Sequence, residues 1–287
     1  MRKEYFSHQA STSPLFDLSA RMVRSSALFV LFALLFLSAC SAPPKATKDD
    51  VASPPQPKLA TSVKMASIDL TGYGKRIEKK DIERFAVVLK REQIEILAVQ
   101  GITRYPNVKT RVDFVNELAA MTDMRHAFGE SIDIMGRQQG NAVFSVYPIR
   151  SNQKKDYDVP SAFSEYALHV AIDAGVRDVT IVSTRLPAKA PADDVAKCVR
   201  TITDLRVTPE MPFVVSGNLP ELKKTSTAQD FTDVRSILPD GTDKTLTSRL
   251  WYVQRDLFRL IQARTVKTEL GTVTVAEFGL YQQARTQ

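Results

Sequence analysis

The side chains that most readily bind zinc or act as nucleophiles are few in this sequence and far apart. The 287-residue chain has two cysteines, Cys40 and Cys198, and three histidines at positions 8, 126 and 169. A structural zinc site needs four clustered ligands, and a catalytic zinc site needs three ligands plus water. Five candidates spread from position 8 to position 198 therefore argue against a zinc centre.

A short apolar run precedes Cys40. Residues 27–37 carry no charge and follow Arg21 and Arg24. As a helix they would rise about 16 Å, too little to cross a bilayer core of about 30 Å. A basic flank, a short apolar run and small residues before a cysteine are typical of a bacterial lipoprotein signal. We predict that residues 1–40 are a lipoprotein signal peptide with the lipid on Cys40; a plain signal peptide and a buried strand are the alternatives.

The residues that follow Cys40 predict where the protein is held. Ser41 resembles the residue that sorts lipoproteins to the outer membrane. Residues 41–62 contain five prolines and few apolar side chains, a composition that predicts a flexible, semi-extended tether. We therefore expect the protein to contact the membrane through the lipid and to lie at the periplasmic face of the outer membrane.

The remaining residues, 63–287, have the size of one large α/β domain. Lysine and arginine number 39 against 32 aspartate and glutamate, a net charge of +7. This excess is small for the length, and no basic stretch is interleaved with aromatic residues, so the sequence argues against nucleic acid as a partner. Cys198 shares one helical face with four apolar residues, which predicts its burial.

Strands and helices alternate in the first half of this domain, and hairpins follow in the second half. We predict strands at 63–70, 94–99, 141–146, 166–172, 176–183, 212–216, 250–253, 257–268 and 272–275, and helices at 78–93, around 112–119 and at 192–206. Early strand–helix–strand spacing combined with late hairpins favours a mixed-sheet α/β sandwich over a doubly wound parallel sheet.

Six short motifs lie on these predicted strands. They are Met-Ala-Ser-Ile-Asp-Leu-Thr-Gly at 65–72, Ile-Leu-Ala-Val-Gln at 96–100, Gly-Asn-Ala-Val-Phe-Ser-Val-Tyr-Pro-Ile at 140–149, Val-Ser-Thr-Arg-Leu at 182–186, Val-Val-Ser-Gly-Asn-Leu-Pro at 214–220 and Ser-Arg-Leu-Trp-Tyr-Val at 248–253. In this order the chain resembles the endonuclease/exonuclease/phosphatase (DNase I-like) superfamily from about residue 63 to residue 280. The resemblance implies a four-layer α/β/β/α sandwich with mixed, largely antiparallel sheets, and Mg²⁺-dependent hydrolysis of phosphate esters.

The residue types at the superfamily's catalytic positions are different in this chain. By resemblance, Asp69 takes the place of an Asn, Gly101 of the metal-binding Glu, Arg185 of a His, Asn218 and Pro220 of an Asp and an Asn, Trp251 of an Asp, and Phe278 of the closing His. Magnesium needs carboxylate or other hard oxygen ligands, and loss of a general base alone costs about 10²–10⁴ in rate. We therefore predict no catalytic residue, no metal and no cofactor.

Other superfamily positions are retained. Gln100, Asn141, Arg249 and Tyr252 match the superfamily residues, and we interpret them as supports of the fold. The favoured function is a lipid-anchored cell-envelope pseudoenzyme with a binding or scaffolding role, whose partner is an envelope protein or an anionic ligand.

The alternative function is a divergent Mg²⁺-dependent phosphodiesterase or nuclease, with a cation held by Asp69. In the vacated cleft Arg185 has two possible roles. It can clamp a phosphate in a bidentate manner, or it can pair with Asp69, and we expect the pair.

Overall fold

The computed structural model describes residues 57–73, 76–106, 108, 111–160, 165–186, 190–219, 229–238 and 248–282. The helices are α1 (Lys79–Arg91), α2 (Phe114–Thr122) and α3 (Ala192–Asp204), with a short 3-10 helix at Val234–Ile237. The strands are β1 (Lys58–Asp69), β2 (Ile96–Arg104), β3 (Arg125–Ile134), β4 (Arg137–Ser145), β5 (Ile149–Asp156), β6 (Tyr166–Asp173), β7 (Asp178–Arg185), β8 (Phe213–Asn218), β9 (Phe231–Asp233), β10 (Arg249–Val253), β11 (Phe258–Thr268) and β12 (Gly271–Gln282).

The strands form two six-stranded mixed sheets. The first sheet has the order β11-β12-β1-β2-β4-β3, and the second has the order β5-β6-β7-β8-β10-β9. In each sheet one neighbouring pair is parallel, β1 with β2 and β7 with β8, and the other pairs are antiparallel. A parallel pair needs a crossover, which α1 supplies between β1 and β2 and α3 supplies between β7 and β8.

Three apolar cores separate four layers. In β1, Val63 and Met65 face the core between the two sheets, whereas Ala66 and Ile68 face a second core that also contains residues of α1 and α2. This division follows the two-residue period of a strand. The third core lies beneath α3 and contains Cys198, which is fully buried as predicted. The four-layer α/β/β/α sandwich expected from the motifs is thereby confirmed.

Side-chain caps determine where the two first helices begin. Glu78 and Asp81 form a capping box at the start of α1. Asp113 caps α2, because one of its carboxylate oxygens accepts hydrogen bonds from the backbone nitrogens of Val115 and Asn116. None of the helices in the described ranges is long and apolar enough to cross a membrane.

The structure also contains three strands that the sequence analysis missed: β3, β5 and β9. In β5 every residue after Ile149 is exposed, so this edge strand has no buried alternate residues for a periodicity test to detect. The predicted tether at 41–62 extends too far toward the C-terminus, because β1 already begins at Lys58. The first residues of β1 pair with the last residues of β12, Lys58 opposite Gln282, and this pairing extends the strand.

Candidate functional site

Four of the six motifs meet at one edge of the sandwich. Asp69 ends β1 and lies in register with Gln100 of β2, and Arg185 ends β7 in register with Asn218 of β8. The carboxyl ends of parallel strands lie at the same edge of a sheet, which is where open α/β sheets bind ligands. The structure therefore brings these sequence-predicted positions together.

A cavity of about 190 Å³ opens at this edge, and we call it the central cavity. Residues from both sheets line it: Thr71, Gly101, Asn141, Glu165, Tyr166 and Arg185 are among them. Of the sequence-predicted site residues, Gly101, Asn141 and Arg185 thus reach the cavity wall. Glu165 and Tyr166 belong to no motif that the sequence analysis used.

Gly101 lies where the superfamily resemblance expects a metal-binding carboxylate. Its φ of +69° is in the left-handed region that favours glycine. A Cβ atom placed on Gly101 would lie 2.6 Å from the backbone nitrogen of Thr71 and 2.7 Å from its Cα. The Thr71 nitrogen is itself held by the Asp69 carboxylate at 2.9 Å. The turn after β1 thus fills the space that a longer side chain at position 101 would need.

Asn141 supports this arrangement from the neighbouring strand. Its side-chain oxygen accepts a hydrogen bond from the backbone nitrogen of Gly101 at 3.2 Å. Its own backbone nitrogen donates to the Tyr166 hydroxyl at 2.7 Å, and that hydroxyl donates to the carbonyl of Gly129. Burial raises the pKa of Tyr166 well above its ordinary value, so the hydroxyl stays protonated and able to donate. Asn141 therefore holds the cavity wall together.

Arg185 forms an ion pair with Glu165 across the cavity wall. The Arg185 Nη1 and Glu165 Oε1 atoms are 3.2 Å apart, and each side chain is a quarter exposed or less. Burial raises the pKa of Glu165, the Arg185 charge opposes this shift, and the nearby Asp69 carboxylate adds to it. The expected Arg185–Asp69 pair is therefore wrong. Asp69 instead accepts from the Thr71 nitrogen, in a turn that its short side chain favours.

A cluster of buried hydroxyl groups surrounds Gln100 behind the cavity. The Gln100 Nε2 atom donates to the Oγ atoms of Ser183 and Ser216 at 2.9 and 3.0 Å, and its Oε1 atom accepts from Ser248 at 3.0 Å. Ser67 hydrogen-bonds to both Ser216 and Ser248. All five side chains are at most 3% exposed. Three of these serines stand two residues before Asp69, Arg185 and Asn218, so strand periodicity could have identified them.

Several predicted positions do not line the central cavity, among them Asp69, Asn218, Trp251 and Phe278. The half-buried Asn218 accepts a hydrogen bond at its backbone oxygen from Leu186. Trp251 is buried in the core beneath α3, and its indole nitrogen has no hydrogen-bond partner within the described residues. Phe278 stacks on Phe258 in the core between the sheets, with 4.9 Å between ring centroids.

The register of β12 puts another residue next to the hydroxyl cluster around Gln100. Thr274 lies opposite Ser67, and its hydroxyl donates to the backbone oxygen of Ser248, whereas Phe278 lies opposite Val63. Pro220 and Cys40 fall outside the described residues.

The two other retained residues belong to the second sheet. The guanidinium of Arg249 lies 3.9 Å from the Asp233 carboxylate. Tyr252 is buried, contacts the edge of Phe278 and donates its hydroxyl to Gln254 at 3.2 Å. Burial raises the pKa of this phenol. Both residues therefore have packing or pairing roles within the sheet.

The strand ends offer few carboxylates to a metal ion. Within the ranges that the structure describes, no three histidine, cysteine, aspartate or glutamate side chains lie close enough together to hold a metal ion. Glu165 is the carboxylate electrostatically coupled to Asp69, but it is paired with Arg185. A guanidinium in place of a metal ion suits the binding of an anion, which it can contact through two nitrogens.

Comparisons with known proteins identify the fold. No protein-family model matches the sequence, and no curated protein sequence matches it. The structure is similar to an endonuclease/exonuclease/phosphatase from Beutenbergia cavernae DSM 12333, with 14% identity, a TM-score of 0.58, and 77% of this chain and 72% of that chain covered. A family protein from Leptotrichia buccalis C-1013-b gives 14% identity, a TM-score of 0.58, and coverage of 75% and 98%.

A family protein from Bacteroides thetaiotaomicron gives 8% identity, a TM-score of 0.56, and coverage of 78% of this chain and 99% of that chain. Identities this low establish the fold and not the activity. The chain therefore has the endonuclease/exonuclease/phosphatase fold that its motifs predicted.

Proposed function

We propose that this protein is a lipid-anchored pseudoenzyme of the cell envelope, which uses the cleft of its endonuclease/exonuclease/phosphatase fold to bind a ligand and not to hydrolyse one. The observation that carries the proposal is the contact between Thr71 and Gly101. Because the backbone of Thr71 occupies the space in which a side chain at position 101 would begin, position 101 has no room for a metal-binding carboxylate.

The charges in the central cavity support the same conclusion. Arg185 and Glu165 neutralise each other at the end of β7, where the resemblance expects a catalytic histidine. A general base contributes about 10²–10⁴ to a rate, and one transition-state donor contributes about 10²–10³. These contributions are not additive, but among the described residues at this edge we find no set that could supply them together.

The cavity favours an anion over an envelope protein as the bound partner. The Nε atom of Arg185 is buried and has no hydrogen-bond partner within the described part of the chain. A buried donor without a partner costs about 1–3 kcal/mol, so a ligand that accepts its hydrogen bond would be stabilised. An anionic oxygen is the acceptor that a guanidinium binds most strongly.

Anchoring by lipid is the second part of the proposal, and it rests on the residues that precede the folded domain. The apolar run at 27–37 and Cys40 predict the lipid, and residues 41–57 separate Cys40 from β1. Ser41 supports a position at the periplasmic face of the outer membrane. The protein then contacts the membrane through the lipid on Cys40.

The test is an assay for turnover with the purified full-length chain. We expect no Mg²⁺- or Mn²⁺-dependent hydrolysis of DNA, RNA, sphingomyelin or bis-p-nitrophenyl phosphate above background, and no calorimetric signal for either metal. Turnover that disappears in Asp69→Ala, and persists in the exposed surface control Asp156→Ala, would overturn the pseudoenzyme and support a divergent metal-dependent phosphodiesterase.

A further inference from the structure

A second and larger pocket adjoins the central cavity. Its volume is about 380 Å³, and it shares with the central cavity the side chains of Tyr73 and Arg137. Its floor includes Leu70 and Phe114, which are 4% and 1% exposed. Tyr73 and Tyr105 also line it, so the pocket offers apolar and aromatic surface to a ligand.

Three arginines line the same pocket, which we call the arginine pocket. Arg76, Arg111 and Arg137 come from three separate segments of the chain, and all three are exposed. Within the described residues none of the three forms an ion pair, and the guanidinium of Arg111 lies over the ring of Tyr105, with 5.7 Å from its central carbon to the ring centroid. Three uncompensated charges therefore converge on one concave surface.

Arginines elsewhere in the described chain are mostly neutralised. Those that form ion pairs include Arg84, Arg150, Arg206, Arg255 and Arg264. The contrast is sharpest at Arg104, which is close in sequence to Arg111 but is paired with Asp113 at 2.8 Å and lies over the ring of Phe128. Like charges gathered without partners repel each other, and a bound anion removes that repulsion.

The composition of the pocket indicates the chemical class of its ligand. Guanidinium groups bind phosphate oxygens through paired hydrogen bonds and also stack on aromatic rings. A bare phosphate ion would satisfy the arginines but would leave the half-buried rings of Tyr73 and Tyr105 in contact with water. We infer that the arginine pocket binds a phosphate monoester that carries a ring, with the phosphate at Arg76, Arg111 and Arg137 and the ring against Tyr73 and Tyr105.

This inference rests on the proposed function in one respect, namely that the ligand is retained and not hydrolysed. The probe is 4-nitrophenyl phosphate, titrated calorimetrically into the full-length protein without added metal. Inorganic phosphate and the neutral 4-nitrobenzyl alcohol are the comparison ligands. We expect 4-nitrophenyl phosphate to bind at least about tenfold more tightly than either, because only this probe uses both the charged and the apolar surfaces.

Single substitutions then assign the contacts. Arg111→Gln and Arg137→Gln should each weaken binding of 4-nitrophenyl phosphate about fivefold to twentyfold, since each removes one charge-assisted contact. The matched control is Arg200→Gln, which removes the same charge from an exposed arginine of α3 that makes no described ion pair. Tyr105→Leu should weaken binding of 4-nitrophenyl phosphate and leave binding of inorganic phosphate unchanged.

The outcomes separate this inference from the proposed function. Equal losses in Arg111→Gln and Arg200→Gln, or equal affinities for 4-nitrophenyl phosphate and inorganic phosphate, would overturn the inferred site. Absence of binding would also overturn it and would leave the pseudoenzyme proposal intact. Release of 4-nitrophenolate, followed by absorbance in the same samples, would contradict the pseudoenzyme proposal, and loss of that release in Arg111→Gln would still support the site.

Discussion

Thr71 and Gly101 are packed so closely that Gly101 cannot gain a side chain unless the backbone of Thr71 moves. A Cβ atom on Gly101 would lie 2.6 Å from the Thr71 nitrogen, closer than real Cβ contacts come, and the obstacle is backbone and not a flexible side chain. The left-handed φ of +69° at Gly101 adds a second restriction. Placing a carboxylate at position 101 would therefore require the turn after β1 to move as well.

The first prediction compares two glycines that both have a left-handed φ angle. Gly136 has a φ of +78° with nothing within 4 Å of an added Cβ, whereas Gly101 has the Thr71 backbone there. Gly136→Ala should cost about 1–2 kcal/mol of unfolding free energy from its backbone conformation alone. Gly101→Ala should cost at least about 3 kcal/mol, because crowding adds to the same strain. Urea denaturation measures both free energies. Equal losses would contradict the crowding, because they would show that the turn after β1 moves away from a Cβ at position 101 at little cost.

The second prediction concerns the partner of Arg185. A double-mutant cycle on unfolding free energy with Glu165→Gln and Arg185→Met should give a coupling of about 1–3 kcal/mol. The matched cycle with Asp69→Asn and Arg185→Met should give a much smaller coupling, because the two side chains form no ion pair in the structure. A larger coupling for Asp69 than for Glu165 would contradict the observed pairing.

The third prediction is a pH dependence caused by Glu165. Burial raises the pKa of this carboxyl above its ordinary value of 4.5. At pH values between 4.5 and the raised pKa of the folded state, the folded protein binds more protons than the unfolded chain. The free energy of unfolding therefore falls as pH rises through this window above 4.5. Glu165→Gln cannot titrate, and its stability relative to wild type should therefore increase with pH across that window.

Denaturation at a series of pH values measures this difference. The control is Glu83→Gln, which removes an exposed acid from α1. If the two variants changed in parallel with pH, the effect would come from net charge and not from the buried position of Glu165.

The fourth prediction concerns the hydroxyl cluster around Gln100. Gln100→Leu removes the hydrogen bonds that Gln100 forms with the hydroxyls of Ser183, Ser216 and Ser248. Unsatisfied buried groups cost about 1–3 kcal/mol each, so a loss of roughly 2–4 kcal/mol is expected after partial rearrangement. Ser183→Ala removes one hydroxyl and with it the need of that hydroxyl for a hydrogen-bond partner, so it should cost only about 1 kcal/mol. Similar losses in a thermal or urea denaturation series would argue against the glutamine as the centre of the cluster.

The fifth prediction concerns the lipid anchor. Cys40→Ser should release the protein from the membrane fraction without detergent, because a serine cannot receive the lipid. The matched control is Cys198→Ala, which removes the buried cysteine of α3 and should leave the protein in the membrane fraction. Fractionation followed by immunoblotting measures both. Retention of Cys40→Ser in the membrane through the same extraction would refute the lipoprotein assignment.

Much of the fold could be predicted because its signals are local. The apolar runs of β1 and β2 and the apolar face of α3 depend only on neighbours in the chain, and the order of six motifs, by resemblance, predicted the four-layer sandwich. The polar edge strand β5 was not predicted because seven of its eight residues are exposed, so its sequence shows no alternation of buried and exposed residues.

The chemistry of the cleft depended on the tertiary structure. Through its resemblance to the superfamily, the sequence by itself predicts that the catalytic residues are replaced, since this prediction requires only the residue types at Gly101, Arg185 and Trp251. Only the tertiary structure decided that Arg185 pairs with Glu165 and not with Asp69, and that three arginines of separate segments line one pocket. The physical reason is that such contacts depend on strand register and loop paths, which bring together side chains whose separation along the chain carries no periodic signal.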